Sequence, residues 1–294
     1  MIGPRGYRSP EDLEELRRML IETFEINQTM HNWWIDRFES GTYFQPGEDG
    51  WTNGLQLWHD DSKLVGAVHP RSGTPNEAYI QIYPGYRHLE PEMIQWAENN
   101  LHGGEHLSFW VYEFDTKRQR ILESRGYERT GRYGYERWRS LGEPIPETEL
   151  PEGYIVRPLD RKGDADLMAD AINAAFGRTF HTGEWYRRVQ SAPSYRCDLD
   201  LAAIAPDGAI ASFATAWRHP KNRIGAFEPV GTHPQHRRLG LARSVLYEGM
   251  RRLRELGVTR VNVGTGMNSV ANNFYESLGF TLYERNHEYR RKKP

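Results

Sequence analysis

One stretch near the C-terminal end of the chain has apolar residues at the spacing of an amphipathic helix. The segment from Arg223 to Val230, which precedes it, is typical of a strand. A basic loop connects the two and ends in the small residues Gly240 and Ala242. The pattern therefore predicts a strand, a tight loop and a long helix. Its apolar face consists of Leu241, Val245, Leu246, Met250, Leu253 and Leu256.

Similar patterns divide the rest of the chain into two halves. In the first half, helices are predicted over 10–24, 31–38, 91–101 and 116–124, and strands over 55–59, 63–69, 77–83, 106–112 and 127–138. In the second half, further helices are predicted over 164–176, 184–189 and 269–278, and further strands over 154–158, 199–205, 209–217, 260–263 and 281–289. We therefore expect an α/β (α+β) protein with domains at 1–141 and 154–294. The segment 142–153, rich in proline and glutamate, would link them.

The two halves share a local repeat at the predicted loop. The segment 83–87 (Tyr-Pro-Gly-Tyr-Arg) lies 150 residues before the segment 233–237 (His-Pro-Gln-His-Arg). Each segment follows a predicted strand and precedes a predicted helix. An internal duplication is the simplest explanation.

The loop of the second half has the properties of an anion-binding site. The first backbone N–H groups of a helix have no intrahelical partner, and the helix dipole adds partial positive charge at the same end. Gly240 lacks the Cβ that would keep a phosphate oxygen away from the main chain. The loop therefore favours a phosphate or pyrophosphate, although a helix start with solvated arginines explains the same residues.

Composition narrows the classes of function. The 294 residues contain 38 Lys plus Arg and 40 Asp plus Glu, a net charge of 38 − 40 = −2, so no nucleic-acid footprint is expected. The sequence has no apolar run long enough for a membrane span and no apolar signal core at its start. The single cysteine, Cys197, fits a reducing compartment, and we expect a cytoplasmic protein. His233 and His236 lie three positions apart without an evident third ligand, so no metal is expected.

Two motifs of the second half resemble a known family. Arg237-x-x-Gly240-x-Ala242 is similar to the acyl-CoA pyrophosphate loop of the GCN5-related N-acetyltransferases (GNAT). The run Asn268-x-x-Ala271-x-x-x-Tyr275-x-x-x-Gly279-Phe280 resembles the motif downstream of that loop. The resemblance covers roughly 154–289, with a weaker echo in the first half. It implies two tandem GNAT-like domains, each a mixed, mostly antiparallel sheet flanked by helices, with acetyl-CoA as co-substrate.

The resemblance also implies which residues contact the cofactor. Backbone groups near Val230 and Thr232 would hold the pantetheine arm like an added strand. Pro229 fits the irregular strand that such a site needs, because proline is excluded from regular central strands. Asn268 would hydrogen-bond the arm, although an Asx turn or helix cap explains it equally. The residues expected at the pyrophosphate are Arg237, Arg238, Leu239, Gly240, Leu241 and Ala242.

Glu228 and Tyr275 are the candidate catalytic residues. The resemblance places a general base on the strand before the loop, here Glu228, and a general acid at Tyr275. If Phe227 faces the core, strand alternation places Glu228 on the other face. A phenol, with a pKa of about 10, can donate a proton to a departing thiolate. A solvated strand glutamate and a core tyrosine are the structural alternatives.

The first half lacks these features. Glu90 and Glu92 stand at the two small-residue positions of its loop, where carboxylates repel a pyrophosphate. Ala78 and Leu122 stand where the second half has its candidate catalytic residues. We therefore expect the first half to be a degenerate GNAT-like domain with a structural role.

Together these features predict an acetyltransferase that acts on a primary amine, favoured as a small molecule. The amine would attack directly in a ternary complex, without an acyl-enzyme. His181, Trp185 and Tyr186 lie in the region that lines the acceptor site in this superfamily, and they are the candidate substrate contacts. A non-catalytic acyl-CoA-binding or sensor module and a protein N-acetyltransferase are the alternatives. Neither nucleic acid nor a membrane is an expected partner, and a homodimer is compatible with the sequence.

Overall fold

A computed structural model describes residues 2–43, 51–71, 74–101, 103–160 and 163–292. The helices are α1 (Pro10–Asn27), α2 (Ile35–Tyr43), α3 (Glu90–Asn100), α4 (Thr116–Ser124), α5 (Ala165–Phe176), α6 (Gly183–Val189), α7 (Leu241–Glu255) and α8 (Ser269–Ser277). The strands are β1 (Ile2–Gly6), β2 (Gln56–Asp60), β3 (Lys63–Arg71), β4 (Thr74–Ile82), β5 (His106–Tyr112), β6 (Glu128–Ser140), β7 (Ile155–Pro158), β8 (Asp200–Ile204), β9 (Ile210–His219), β10 (Ile224–Thr232), β11 (Arg260–Thr265) and β12 (Leu282–Lys292). Among the described residues, no helix combines the length and the apolar character needed to cross a lipid bilayer.

Strand β1 is the main element that the sequence pattern does not predict. Its residues, Ile-Gly-Pro-Arg-Gly, include a proline and two glycines and lack the alternation of a typical strand. It pairs antiparallel with β2 at the edge of the sheet. An edge strand tolerates proline, since only one of its sides must donate to a neighbour.

Contacts within the chain define two compact units. Unit 1 consists of Met1–Glu136, Thr265–Asn268 and Glu284–Pro294, and unit 2 consists of Arg137–Gly264 and Ser269–Tyr283. This division differs from the linear boundaries predicted from the sequence, because residues 265–268 and 284–294 fall in unit 1. The reason is strand pairing, which a periodic pattern does not specify.

Unit 1 is built around strands in the order β1-β2-β3-β4-β5, with β12 paired antiparallel to β5. The β5 and β12 partners run from Tyr112↔Asn286 to His106↔Lys292. The neighbouring pairs β1–β2, β2–β3 and β3–β4 are antiparallel, and the pair β4–β5 is parallel. Helices α1 and α3 contact this sheet, and the core includes Leu16, Trp58 and Phe109.

Unit 2 has strands in the order β7-β8-β9-β10-β11. All neighbours are antiparallel except β10 and β11, so the expected mixed, mostly antiparallel sheet is confirmed. Helix α7 packs closely on the sheet, since a Cβ on Gly249 would lie 2.6 Å from the ring of Phe227. Helices α5 and α6 contact each other, and α5 also contacts β9 and β10.

We predict that removal of residues 284–294 destabilises unit 1. The deletion strips β5 of its hydrogen-bonded partner and removes Tyr289, a fully buried member of the unit 1 core that pairs with Phe109. Thermal unfolding followed by circular dichroism should show an early transition that the full chain lacks. Removal of residues 293 and 294 alone, beyond β12, is the matched control, and an unchanged profile for the longer deletion would contradict the prediction.

Candidate active site

The candidate site begins where two neighbouring strands of unit 2 part. Strand β10 pairs in parallel with β11 from Ile224↔Arg260 to Ala226↔Asn262, yet β10 continues to Thr232. In the part of the chain that the structure describes, the register shared by β10 and β11 thus ends at Ala226, before β10 itself ends. An extended ligand can hydrogen-bond to such a strand as if it were another strand.

The other side of β10 stays attached to β9, with an irregularity at Pro229. The register shifts between Phe227 and Val230, and the Glu228–Pro229 peptide is cis. The indole Nε1 of Trp217 donates to the main-chain oxygen of Glu228 over 2.6 Å. The irregularity expected at Pro229 is thus a bulge held by a buried side chain.

The end of β10 is packed too tightly for a side chain at Gly231. A Cβ there would collide with the ring of Phe213 and lie 3.0 Å from the Cβ of Ala175, near the end of α5. The Ser212 hydroxyl donates to the oxygen of Gly231 over 2.9 Å. These contacts fix the last residues of β10, including Val230 and Thr232, where the pantetheine arm is expected.

The loop after β10 presents an exposed helix N-terminus. Arg238 and Gly240 both have left-handed backbones, with φ of 67° and 78°, and α7 starts at Leu241. A Cβ on Gly240 would meet no other group within 4 Å, so this side of the loop is open. The first turn of α7 contains no acidic residue. Free N–H groups, the dipole and open space together fit a pyrophosphate such as that of acetyl-CoA.

Arg237 holds the loop by its side chain. Its Nε donates to the oxygen of Thr232 over 3.3 Å and its Nη2 to the oxygen of Ala175 over 3.2 Å. The guanidinium therefore ties the end of β10 to the end of α5 while keeping its positive charge beside the loop. Arg238 and Leu239 are exposed there.

The two histidines of the loop have partners of their own. His233 Nδ1 accepts from the backbone N–H of Gln235 over 3.3 Å, and His236 Nδ1 lies 2.8 Å from the hydroxyl of Tyr154. The imidazole of His233 thus stabilises the local turn, and that of His236 links the loop to the start of β7. This arrangement supports structural roles for both.

In the folded chain, the negative charge of Glu228 acts on the phenol of Tyr275. Phe227 faces the core against α7, and Glu228 is half-buried. Tyr275 on α8 is only 9% exposed and packs against Phe274 and Phe280. Burial, and secondarily the negative charge of Glu228, raise the pKa of Tyr275 above its ordinary value. The phenol therefore keeps its proton, as a general acid must.

Two further residues named from the sequence are exposed. Asn268 is exposed just before α8 and falls in unit 1, so its contact with the cofactor remains a prediction. Cys197 is an exposed free thiol in the short 3₁₀ turn Cys197–Leu199.

His181 and Trp185 form an aromatic cluster at the start of α6. Their ring centroids are 3.9 Å apart, and the ring of Phe180 is 4.3 Å from His181. Burial, reinforced by the charge of Arg178, lowers the pKa of His181 to about 4. The imidazole is therefore neutral near pH 7, and its buried Nδ1 has no hydrogen-bond partner within the described residues. Both residues remain candidate substrate contacts.

Tyr186 has a different place from the one expected. Its side chain is fully buried, and its hydroxyl donates to Asp200 Oδ2 over 2.6 Å and lies 3.4 Å from Thr215 Oγ1. It faces the sheet because residues next to each other on a helix point in different directions. The structure thus favours an anchor for α6 over the substrate contact expected for Tyr186.

Asp200 is a residue that sequence reasoning missed. It is fully buried at the start of β8 and accepts hydrogen bonds from three hydroxyl groups. Burial raises its pKa to about 6, even though the hydroxyl donors lower it. In the sequence it follows Leu199 and precedes Leu201, so it looks like an exposed position of an alternating strand. Its partners come from distant parts of the chain, and no spacing reveals them.

The corresponding loop of unit 1 has a buried glutamate at the start of its helix. Glu90, the first residue of α3, is fully buried and forms ion pairs with Arg87 and, over 2.9 Å, with Arg118. Burial alone would raise the pKa of Glu90, but these two guanidinium groups lower it below its usual value. Glu92 accepts from Trp58 Nε1 over 2.8 Å. The two glutamates are thus structural parts of unit 1.

A split strand pair followed by an open helix N-terminus is the arrangement of an acyl-CoA-dependent N-acetyltransferase, and comparison with known proteins supports this class. The sequence profile of the Acetyltransferase (GNAT) family matches residues 167–280. The mycothiol acetyltransferase of Nocardia farcinica is 30% identical over 247 residues, which cover 80% of this chain and 81% of that protein. That of Thermobispora bispora is 28% identical over 249 residues, covering 80% and 82%. The chain belongs to the GNAT family.

Solved structures share the fold over the full length. A GNAT protein from Sphaerobacter thermophilus superposes with a TM-score of 0.67 at 20% identity, covering 100% of this chain and 96% of that one. A tandem GNAT protein from the clavulanic acid biosynthesis pathway gives a TM-score of 0.69 at 14% identity, covering 100% and 98%. These likenesses confirm the tandem GNAT fold expected from the motifs.

We predict that Gly240→Glu weakens acetyl-CoA binding more than Gly240→Gln does. Both substitutions impose the same backbone strain at φ 78°, and only the first adds a negative charge beside the expected pyrophosphate. The charge alone should lower affinity at least about tenfold, and added salt should shrink the difference. Isothermal titration of both variants measures this. Equal affinities would contradict the placement of the pyrophosphate at Gly240.

We also predict a pH-dependent stability difference between the wild type and Asp200→Asn. The native carboxyl has a pKa of about 6 against an ordinary 3.8, so the folded state binds a proton more tightly than the unfolded state does. Stability from this group therefore rises as pH falls from above 6 towards 4, by up to ~3 kcal/mol. Denaturant unfolding of both proteins at several pH values gives the difference. A difference that stays constant with pH would contradict the prediction.

Proposed function

We propose that unit 2 transfers the acetyl group of acetyl-CoA to the primary amine of a small molecule, by direct attack in a ternary complex. The observation that carries the proposal is the geometry of β10, whose pairing with β11 ends at Ala226, two residues before Glu228, and which leads to the open helix N-terminus at Gly240. A base on one side of the reaction centre and a protonated acid on the other are what aminolysis of a thioester requires.

The cofactor would be held by main-chain groups of unit 2. The N–H groups at the start of α7 and the open side of Gly240 suit the pyrophosphate. The backbone of β10 between Glu228 and Thr232 suits the pantetheine arm, which would add to the strand where β11 departs. Acetyl-CoA supplies the activated acyl group.

Each residue then has a defined part in the proton transfers. Glu228 accepts a proton from the substrate ammonium, directly or through water, so that the amine nitrogen can attack the thioester carbonyl. The C–N bond forms and the C–S bond breaks. Tyr275 donates its phenolic proton to the departing sulfur and regains one from solvent, while the acetylated nitrogen loses its second proton to solvent, so that the products are the neutral amide and the CoA thiol. Cys197 takes no part in this scheme.

The names of the relatives suggest the acceptor. Proteins similar to this chain over four-fifths of its length are called mycothiol acetyltransferases. We propose that the acceptor is the amine from which a single acetyl transfer yields mycothiol. His181 and Trp185, a neutral imidazole close against an indole, would contact it from the start of α6.

We predict that Tyr275→Phe and Glu228→Gln each lower kcat by about a hundredfold or more. Acetyl-CoA affinity should stay within about twofold, because neither side chain is expected at the pyrophosphate. Release of the CoA thiol, followed with a thiol reagent, measures the rate. Tyr283→Phe is the matched control, since Tyr283 is 51% exposed and has no place in the proposed mechanism.

The acceptor is tested with a panel of amines in the same assay. The panel contains the amine from which one acetyl transfer yields mycothiol, unrelated small primary amines and a peptide with a free N-terminus. Release with the first compound alone supports the proposed acceptor, and release with the peptide alone supports a protein N-acetyltransferase. Tight acetyl-CoA binding with no release from any amine would favour a non-catalytic acyl-CoA sensor.

A further inference from the structure

A buried carboxylate joins three separate segments of unit 2. Asp200 Oδ2 accepts from the Tyr186 hydroxyl over 2.6 Å and from the Tyr195 hydroxyl over 2.7 Å. Asp200 Oδ1 accepts from the Thr215 hydroxyl over 2.9 Å. These donors belong to α6, to the segment between α6 and β8, and to β9. A single side chain on β8 therefore fixes all three.

One side of this network reaches the candidate acceptor contacts. Tyr186 lies on α6 next to Trp185, and their ring centroids are 5.9 Å apart. The ring of Trp185 in turn lies 3.9 Å from that of His181, tilted by 31°. The hydroxyl of Tyr186 thus determines how α6 is seated on the sheet, and with it where the indole and imidazole lie.

The other side reaches the strand that carries Glu228. The ring of Tyr195 lies 6.5 Å from that of Trp217, whose indole donates to the main-chain oxygen of Glu228 over 2.6 Å. Thr215 lies on β9 between the residues that pair with Val230 and Phe227, directly beside the bulge of β10. The network therefore spans the distance from α6 to the candidate base.

Burying the carboxylate of Asp200 requires free energy to remove it from water. Apolar residues of similar volume would pack the same position without desolvating a carboxylate, and often with equal or greater stability. What a carboxylate adds is direction, because each hydroxyl donor must point at one of two oxygens. Such a tie fixes geometry more than it contributes stability.

We infer that Asp200 is a positioning residue for acetyl transfer, which sets α6 and its acceptor contacts at the correct distance from Glu228. This inference rests on the proposed function of unit 2. Asp200 touches neither the cofactor loop nor the reacting atoms, and it acts through Tyr186, Tyr195 and Trp217.

The test compares Asp200→Asn and Tyr195→Phe with Asp164→Asn. Asp164 is also a buried carboxylate of unit 2, but it pairs with Arg157 and the N–H of Asp160 near β7. For each variant, three quantities are measured: KM for the active amine, Kd for acetyl-CoA with its stoichiometry, and hydrogen exchange of the amides of residues 183–196.

We expect Asp200→Asn to raise KM for the amine by about tenfold to a hundredfold. Acetyl-CoA affinity should stay within about twofold at full stoichiometry, and residues 183–196 should exchange faster. Tyr195→Phe should show smaller changes in the same direction. Asp164→Asn should lower the melting temperature without altering KM or the exchange of these residues.

Two results would overturn the inference. In one, Asp200→Asn lowers the acetyl-CoA stoichiometry while KM stays unchanged, which is the behaviour of a purely structural residue. In the other, exchange over residues 183–196 is the same as in the wild type. The exchange measurement needs no acceptor, so it still tests whether Asp200 holds α6 in place if no amine is acetylated, an outcome that counts against the proposed function alone.

Discussion

The end of the pairing between β10 and β11 at Ala226 is the constraint on which the candidate site of unit 2 depends. Strands of one sheet normally satisfy each other's main-chain groups, and a strand that leaves its neighbour must find another partner. Here the shared register ends at Ala226 while β10 runs on to Thr232, the stretch where we propose that the pantetheine arm binds. The opposite side of β10 stays fixed by β9, by the Trp217 indole and by the contact of Gly231 with Phe213. These contacts hold β10 in place on the β9 side where its pairing with β11 has ended.

The N-termini of α3 and α7 differ in how negative charge is supplied to them. A helix N-terminus favours negative charge. In unit 1 the charge is internal, because Glu90 begins α3 and is neutralised by Arg87 and Arg118. In unit 2 the first turn of α7 has no carboxylate, and Gly240 leaves open space in front of it. The helix start is therefore closed by an ion-pair network in one half and open at Gly240 in the other.

The parts of the site that the sequence predicts are those encoded by neighbouring residues. The loop, its glycine and the helix α7 lie within one short stretch, so spacing alone indicates them. The edge strand β1 escapes this reasoning because its partner supplies the regularity that its own residues lack. Tyr186 also escapes it, since a helix periodicity gives the angle between residues and not which of them faces the sheet. The roles of Glu228 and Tyr275 remain predictions that the geometry supports.

By itself, the sequence determined the order of the helices and of the strands other than β1, the tandem arrangement of the two halves and the residue types of the loop, because these depend on residues close together in the chain. Only the tertiary structure decided that β12 completes unit 1, that Asp200 gathers hydroxyl groups from α6, β9 and the segment between α6 and β8, and that Tyr275 lies within reach of the charge on Glu228. The physical reason is that hydrogen bonds, burial and Coulomb interactions act through space. They join residues whose separation along the chain carries no signal of the contact.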